Sequence, residues 1–328
     1  MSVAKLLNSP NELVGLGGLS KEALSALLEH DAFVALGAIS PDYPYLGVGA
    51  LAQSSSVGAL IIKALAKLLG LGGSSSQEWA DTMHRARTGQ RLKAGIQHVK
   101  AMPPGKEKDK ALAWLLGFVS HVVMDLTIHP VVELKIAPEG GGNTAHRRCE
   151  IHQDAFIYSE LGVGAICHNN FLLKNIALCS APNNKNKLDA TIYNVWNAML
   201  QSTDGPLYSQ KKPHIHGWHM QFRNVLALAT PGKPFAWARH MASTGAVGMD
   251  SLVYPAKPDA SFIDKLQTPN GNTLSYGEVF QKAKANVKSY WDIVLRACLL
   301  GDEAGLSKIK DWSLDSGKDE AGTLAFWE

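Results

Sequence analysis

Residues 114–130 read WLLGFVSHVVMDLTIHP, and residues 146–154 read HRRCEIHQD. Both stretches carry histidine and carboxylate side chains at intervals of four residues. Because an α-helix turns once every 3.6 residues, side chains four apart drift only about 40° around the axis and share one face. Each stretch therefore predicts a helix with one stripe of candidate metal ligands. The two stripes consist of His121, Asp125 and His129, and of His146, Glu150 and Asp154.

These stripes have an ordinary interpretation and a functional one. A single histidine on an apolar helix face is usually a hydrogen-bonded core residue. Asp125, however, lies among Val, Met and Leu, and an ionised carboxylate is costly to bury without a cation or a dense hydrogen-bond network. Helical bundles hold metal ions by directing histidine and carboxylate groups inward from facing helices. Six such side chains with apolar flanks therefore favour a metal centre.

The motif His-x3-Asp-x3-His-Pro followed by His-x3-Glu resembles the zinc-dependent phospholipase C family, relatives of the S1/P1 nucleases. Residues 36–44 read LGAISPDYP and resemble that family's Gly-x-x-x-Pro-Asp segment, whose Asp is a metal ligand. His84 lies where a further ligand histidine is expected. The resemblance covers about residues 30–160. It implies an all-α fold, a phospholipase C/P1 nuclease-like multi-helix bundle around a metal cluster.

The resemblance also implies roles for individual side chains. One zinc ion would be held by Asp42, His84, His121 and Asp125, and another by His129, His146 and Glu150. Asp125 would be free to bridge the two ions, and Asp42 would serve as general base toward the attacking water. Asp42 and Asp125 are thus the expected catalytic residues, and Asp154 is a candidate for orienting a ligand histidine.

The chain departs from the secreted phospholipases in three ways. Three residues separate Asp125 from the second histidine of the motif instead of five, which resembles a bacterial branch of the family. The interval from Asp42 to His84 is far longer than in those enzymes. They also hold a third zinc ion with their N-terminal residue and a nearby histidine, whereas the first histidine here is His30. Either His30 substitutes or the third site is incomplete, so two or three zinc ions are expected.

Three classes of function are compatible with such a centre. The first is a phospholipase C-type hydrolase, in which metal-activated water attacks the phosphorus of a phospholipid or related phosphodiester. The second is an S1/P1-type nuclease or nucleotidase, and the third is a non-catalytic metal-stabilised protein. A net charge of +3 over 328 residues is no strong nucleic-acid signature, because nucleic-acid binders usually cluster Lys and Arg on one face. We favour the first class.

The remaining sequence predicts one mostly helical domain over residues 1–328, with the metal-ligand core at about 30–160 and a helical, loop-rich part at 161–328. The N-terminus lacks the apolar stretch of a signal peptide, and we expect no stretch to supply the roughly 20 apolar residues of a membrane span. The expected location is cytoplasmic, or outside the cell after export without an N-terminal signal.

Two further segments invite a functional interpretation. Residues 57–71 are amphipathic, which indicates either a surface helix packed on the core or a lid that makes peripheral contact with lipid. His214, His216 and His219 have no carboxylate or cysteine beside them, so we expect solvent-exposed or substrate-facing histidines rather than a second metal site.

Overall fold

Helices dominate the fold, which a computed structural model describes for residues 16, 29–44, 74–160, 171–228, 255 and 257–328. The described α-helices are α1 (Asp31–Gly37), α2 (Ser74–Arg85), α3 (Thr88–Ala101), α4 (Lys106–Ile136), α5 (Asn143–Glu160), α6 (Phe171–Leu178), α7 (Ala190–Thr203), α8 (Gly205–Gln210), α9 (Ile215–Leu228) and α10 (Tyr276–Leu295). The described strands form short antiparallel ribbons, which are β1–β2 (Ser180–Ala181 and Asn184–Leu188), β3–β4 (Leu266–Gln267 and Thr273–Leu274) and β5–β6 (Trp312–Ser313 and Lys318–Asp319). The prediction of an all-α, multi-helix fold is confirmed.

The helix α4 is the centre of the core. Every residue from 111 to 120 is buried, and α1 and α10 are the helices that pack most extensively against it. By length and composition α4 could cross a membrane, and the expectation that the chain has no membrane-spanning segment stays a prediction. However, 78% of its apolar window is buried inside the protein. A helix that is apolar on all sides must be covered, and here the other helices cover it.

Two glycines bring α1 and α4 into backbone contact. A Cβ atom on Gly37 would overlap the carbonyl oxygen of Trp114, and one on Gly117 would overlap the carbonyl oxygen of Val34. Only glycine permits this approach, because any other residue would place a side chain between the two backbones. The crossing fixes the turn that follows α1, residues 38–42, against the middle of α4.

One predicted helix is divided into two. The capping-box sequence at residues 75–78 predicts one helix that runs to about Ala101, but the helix breaks after Arg85, and Arg87 adopts a left-handed conformation with φ 52°. The cause is tertiary: Nη2 of Arg87 lies 2.6 Å from Asp204 Oδ1, and Nη2 of Arg91 lies 2.8 Å from Asp204 Oδ2. Asp204 is fully buried, so both guanidinium groups are needed to compensate its charge.

Two polar stretches differ from what their composition predicts. The charged run 106–110 has the composition of a solvated loop, but it forms the first turn of α4, where Glu107 and Asp109 interact favourably with the positive end of the helix dipole. The polar stretch 181–190 also has the composition of a loop, but most of it belongs to the β1–β2 ribbon. The amphipathic segment 57–71 lies outside the described residues.

The glycine crossing generates a stability prediction. Gly117→Ala should lower the free energy of unfolding by about 3 kcal/mol, because the new methyl group meets backbone that cannot rotate away. Gly205→Ala is the matched control, since its Cβ would have no atom within 4 Å, and it should be neutral or stabilising. Urea unfolding of both variants and the wild type measures the difference. Equal stability of the two variants would show that the crossing is looser than described.

Candidate metal centre

Four parts of the fold converge on one cluster of histidine and carboxylate groups. The turn after α1 supplies Asp42, α2 supplies one histidine near its C-terminus, and α4 and α5 supply the rest. Six of the seven predicted ligands fall into two groups, each with ligand atoms within 4.8 Å of one another: Asp42, His84 and His121, and His129, His146 and Glu150.

The first group joins three segments that are distant in sequence. Nε2 of His84 lies 3.1 Å from Asp42 Oδ1, and Nδ1 of His121 lies 3.9 Å from Asp42 Oδ2. The two imidazole rings meet edge to face with centroids 5.6 Å apart. The carboxylate is the most exposed side chain of the group at 41%, whereas the two histidines are 6% and 9% exposed.

The second group joins α4 to α5. Nε2 of His129 lies 3.8 Å from Glu150 Oε1, and Nε2 of His146 lies 3.4 Å from the same oxygen. Arg147 adds a positive charge beside the other oxygen, with Nη1 at 3.4 Å from Glu150 Oε2. Two histidine nitrogens therefore converge on one carboxylate oxygen.

Asp125 lies between the two groups. Its Oδ2 is 3.1 Å from His121 Nε2, and its Oδ1 is 3.9 Å from His129 Nε2. The i, i+4 spacing on α4 thus lets one carboxylate address both groups, each through a different oxygen. This placement is what a bridging ligand requires.

Four contacts hold the histidine rings in place from behind. Nδ1 of His84 lies 2.8 Å from the Ala80 carbonyl oxygen, and Nδ1 of His121 lies 3.1 Å from that of Ala38. An Nδ1–H that donates to a carbonyl leaves Nε2 as a lone pair when the imidazole is neutral. These Nε2 atoms face carboxylate oxygens.

The same arrangement recurs in the second group. Nδ1 of His129 lies 2.8 Å from the Leu314 carbonyl oxygen, and Nδ1 of His146 lies 3.1 Å from Glu133 Oε1. Sequence reasoning missed both partners. Glu133 continues the i, i+4 ladder of α4 by one step, so a longer reading of the pattern could have found it. Leu314 acts through its backbone, for which no residue-type signal exists.

Charge coupling across the cluster is strong. Burial alone would lower the pKa of His121, but Asp125 and Asp42 outweigh it and raise that pKa to about 9. Burial would likewise lower the pKa of His129, yet Asp125 and Glu150 raise it to about 10. Burial would raise the pKa of Asp125, and the neighbouring histidines instead lower it to about 2. The carboxylates are therefore ionised, and the histidines strongly attract a proton or another cation.

The spacing fits zinc. Tetrahedral zinc binds histidine nitrogen and carboxylate oxygen at about 2.0–2.2 Å, so two ligand atoms of one ion lie roughly 3.4 Å apart. The closest nitrogen–oxygen pairs here are 3.1 to 3.4 Å apart. His121 Nε2 is buried and pairs with Asp125 Oδ2 at 3.1 Å, a separation that two ligands of one zinc ion would also have. Six of the seven predicted side chains thus fall into groups that could hold a metal ion, and Asp125 lies between the two groups.

Two other predicted residues lie apart from these groups. Asp154 lies one turn beyond Glu150 on α5. Burial raises the pKa of Tyr158 and Tyr276, and the charge of Asp154 adds to both shifts. The role of Asp154 in orienting a histidine stays a prediction. His30 precedes α1 with its ring 6.1 Å from that of Phe33, and it belongs to neither ligand group found among the described residues.

The three histidines near α9 have different environments. His214 is exposed, as expected, and His216 stacks on Tyr193 with ring centroids 4.2 Å apart. The expectation of exposure is wrong for His219, which is fully buried between the Tyr43 hydroxyl at 3.3 Å and Ser180 Oγ at 2.9 Å. Burial, together with the charges of Arg223 and His216, lowers the pKa of His219 to about 3.

The chain folds into helices and holds two adjacent histidine–carboxylate groups with an aspartate between them. These features place it in the class of α-helical proteins with a candidate multinuclear metal centre. The comparison with protein families gives the particular family: the family described as zinc dependent phospholipase C matches residues 6–205. The chain belongs to this family. It matches no curated protein and no solved structure.

The contact behind His146 generates a prediction. Glu133→Ala should weaken zinc binding by about 10- to 100-fold, because losing the carboxylate that orients a ligand histidine has this typical effect. Glu139→Ala is the control: its carboxylate pairs with Arg148 and lies in neither group. Competition with a chromogenic chelator gives both affinities. Equal zinc affinity in the two variants would contradict the role of Glu133.

Proposed function

We propose that this protein is a zinc-dependent phosphodiester hydrolase of phospholipase C type, with a phospholipid or related phosphodiester as substrate. The observation that carries the proposal is the convergence of histidine nitrogens and carboxylate oxygens in two adjacent groups. Histidine Nε2 atoms, held by Nδ1 contacts from behind, face ionised carboxylates in two groups that share Asp125. Membership of the zinc-dependent family supports zinc as the cation.

The proposed ligand assignment follows the two groups. Asp42, His84, His121 and Asp125 would hold one ion, and His129, His146 and Glu150 another, with Asp125 between them. Bound zinc ions at such a centre lower the pKa of water and stabilise the charge of a phosphoryl group under attack.

Asp42 is the carboxylate best placed to accept a proton from the attacking water. Its side chain is 41% exposed, compared with 16% for Asp125, so it reaches the solvent side of the centre. Desolvation would raise the pKa of Asp42, but His121 and His84 lower it, and the carboxylate is ionised at neutral pH. We assign it as general base toward the attacking water. Asp125 is assigned to hold the two groups at their spacing.

Substrate recognition extends the proposal beyond the described residues. We propose that residues 57–71 contact lipid when lipid is the substrate, because this amphipathic stretch lies in the long interval between Asp42 and His84. The proposal covers phospholipids irrespective of their headgroup.

The first test removes single ligands. Asp125→Asn and Glu150→Gln should each lower turnover by about 100-fold or more, because preorganised groups at a reacting centre have effects of this size. His214→Ala should stay within about twofold of the wild type, as expected for an exposed side chain away from the centre. Hydrolysis of a soluble phosphodiester measures all three variants. A loss in His214→Ala equal to that of the other two would place the site elsewhere.

The second test concerns metal and substrate together. After zinc loading and removal of excess metal, elemental analysis should find at least two zinc ions per chain, and a chelator should abolish turnover. The substrate panel contains phosphatidylcholine, bis(p-nitrophenyl) phosphate and single-stranded DNA. Preferred cleavage of DNA would replace the proposal by the nuclease alternative. Tight zinc binding without turnover of any substrate would favour a metal-stabilised protein without activity.

A further inference from the structure

The C-terminal segment, residues 312–327, lies against the metal centre although it falls outside the family match at 6–205. It contains the β5–β6 ribbon and ends near the buried Trp327. Nothing in its sequence resembles a metal motif. Its contacts with the ligand histidines are made by the backbone atoms of Leu314.

The backbone of Leu314 forms a hydrogen bond with one histidine of each ligand group. Its carbonyl oxygen lies 2.8 Å from Nδ1 of His129, and its N–H donates to the carbonyl oxygen of His84 at 2.7 Å. The second bond depends on the break between α2 and α3. Carbonyl groups in the last turn of a helix lack an intrahelical donor, so the end of α2 leaves an acceptor for Leu314.

Both ends of the segment are anchored. At the start, the Thr88 hydroxyl donates to the Trp312 carbonyl, and the Trp312 N–H donates to the same hydroxyl oxygen, both at 2.8 Å. At the end, the Trp327 indole N–H donates to the Thr127 carbonyl at 2.8 Å, two residues before His129. The backbone of Leu314 is thus fixed relative to α3 and α4.

Gly317 lets the segment lie directly on α4. It has φ +70°, and a Cβ there would be 2.5 Å from Pro130 Cγ and 3.0 Å from the Leu126 carbonyl oxygen. Pro130 immediately follows His129. A side chain at position 317 would therefore push the turn away from the helix at the level of the ligand histidine.

We propose that residues 312–327 are a positioning element of the metal centre, in which Leu314 orients His129 through its carbonyl group and ties that ring to the backbone of His84. The carbonyl selects the tautomer that leaves Nε2 available to an ion, and the N–H fixes the spacing between the two groups. This inference rests on the proposed zinc centre. It assigns to the C-terminal region a role in metal binding rather than in packing alone.

The experiment compares two glycine variants of the same segment. Gly317→Ala and Gly322→Ala both place alanine at a positive φ, +70° and +82°, but a Cβ at position 322 would have no atom within 4 Å. Both variants carry the same kind of backbone penalty, and only Gly317→Ala displaces the segment from α4. Zinc affinity is measured by chelator competition, and the visible spectrum of the cobalt(II)-substituted protein reports ligand geometry.

Gly317→Ala should weaken zinc binding by about 10- to 100-fold and alter the cobalt spectrum, as loss of a group that orients a ligand does. Gly322→Ala should match the wild type in both measurements. Equal zinc affinity and identical cobalt spectra in the two variants would overturn the inference. Failure of the wild type to bind zinc would instead overturn the proposed function, so the two failures are distinguishable.

If Gly317→Ala does not fold, a second variant tests the positioning role of residues 312–327. Trp327→Phe keeps an aromatic ring but removes the N–H that donates to the Thr127 carbonyl, so it loosens the segment more gently. Weaker zinc binding with an altered cobalt spectrum would support the positioning role. Unchanged zinc affinity together with an unchanged spectrum would reject it.

Discussion

A neutral histidine whose Nδ1–H donates to another group presents a lone pair at Nε2. When that nitrogen faces a buried carboxylate oxygen, a cation is required between them, because two lone pairs repel and a buried negative charge is costly. This requirement organises the centre described above. Asp42, Asp125 and Glu150 supply the negative charge, and the histidines present Nε2 because their Nδ1 atoms have other partners. A proton can meet the requirement in the metal-free protein. Zinc, the ion proposed above, can meet it at several ligands at once.

Backbone groups position the ligands of this centre as much as side chains do. The Gly37–Gly117 crossing brings the turn after α1 onto α4, and the Ala38 carbonyl thereby reaches His121 Nδ1 at 3.1 Å. A wider crossing would separate the ring from its carbonyl and Asp42 from both histidines. Core packing and site geometry therefore depend on the same two glycines.

The parts of the site that sequence could predict are those with a local period. The ladders on α4 and α5 follow from the helical repeat alone, whereas Asp42 and His84 required resemblance to a family, since no periodicity connects them. The helix break at Arg87 could not be predicted, because it depends on Asp204, 117 residues away. The contact between the Leu314 carbonyl and His129 could not be predicted for a different reason, because a backbone carbonyl has the same chemistry in every residue. The all-α class followed from patterns summed over long stretches, where local errors at 106–110 and 181–190 matter little.

The two ligand groups differ in how much chain must be closed to assemble them. In the second, the neighbouring rings of His129 and His146 come from consecutive helices and are only 17 residues apart in sequence. In the first, Asp42 and His84 are 42 residues apart, and His121 rests on a carbonyl 83 residues before it. Because closing a longer loop costs more conformational entropy, the α4–α5 pair can organise its ligands before the rest of the chain is in place. During folding, the second group would then assemble first, and assembly of the first group would mark completion of the tertiary structure.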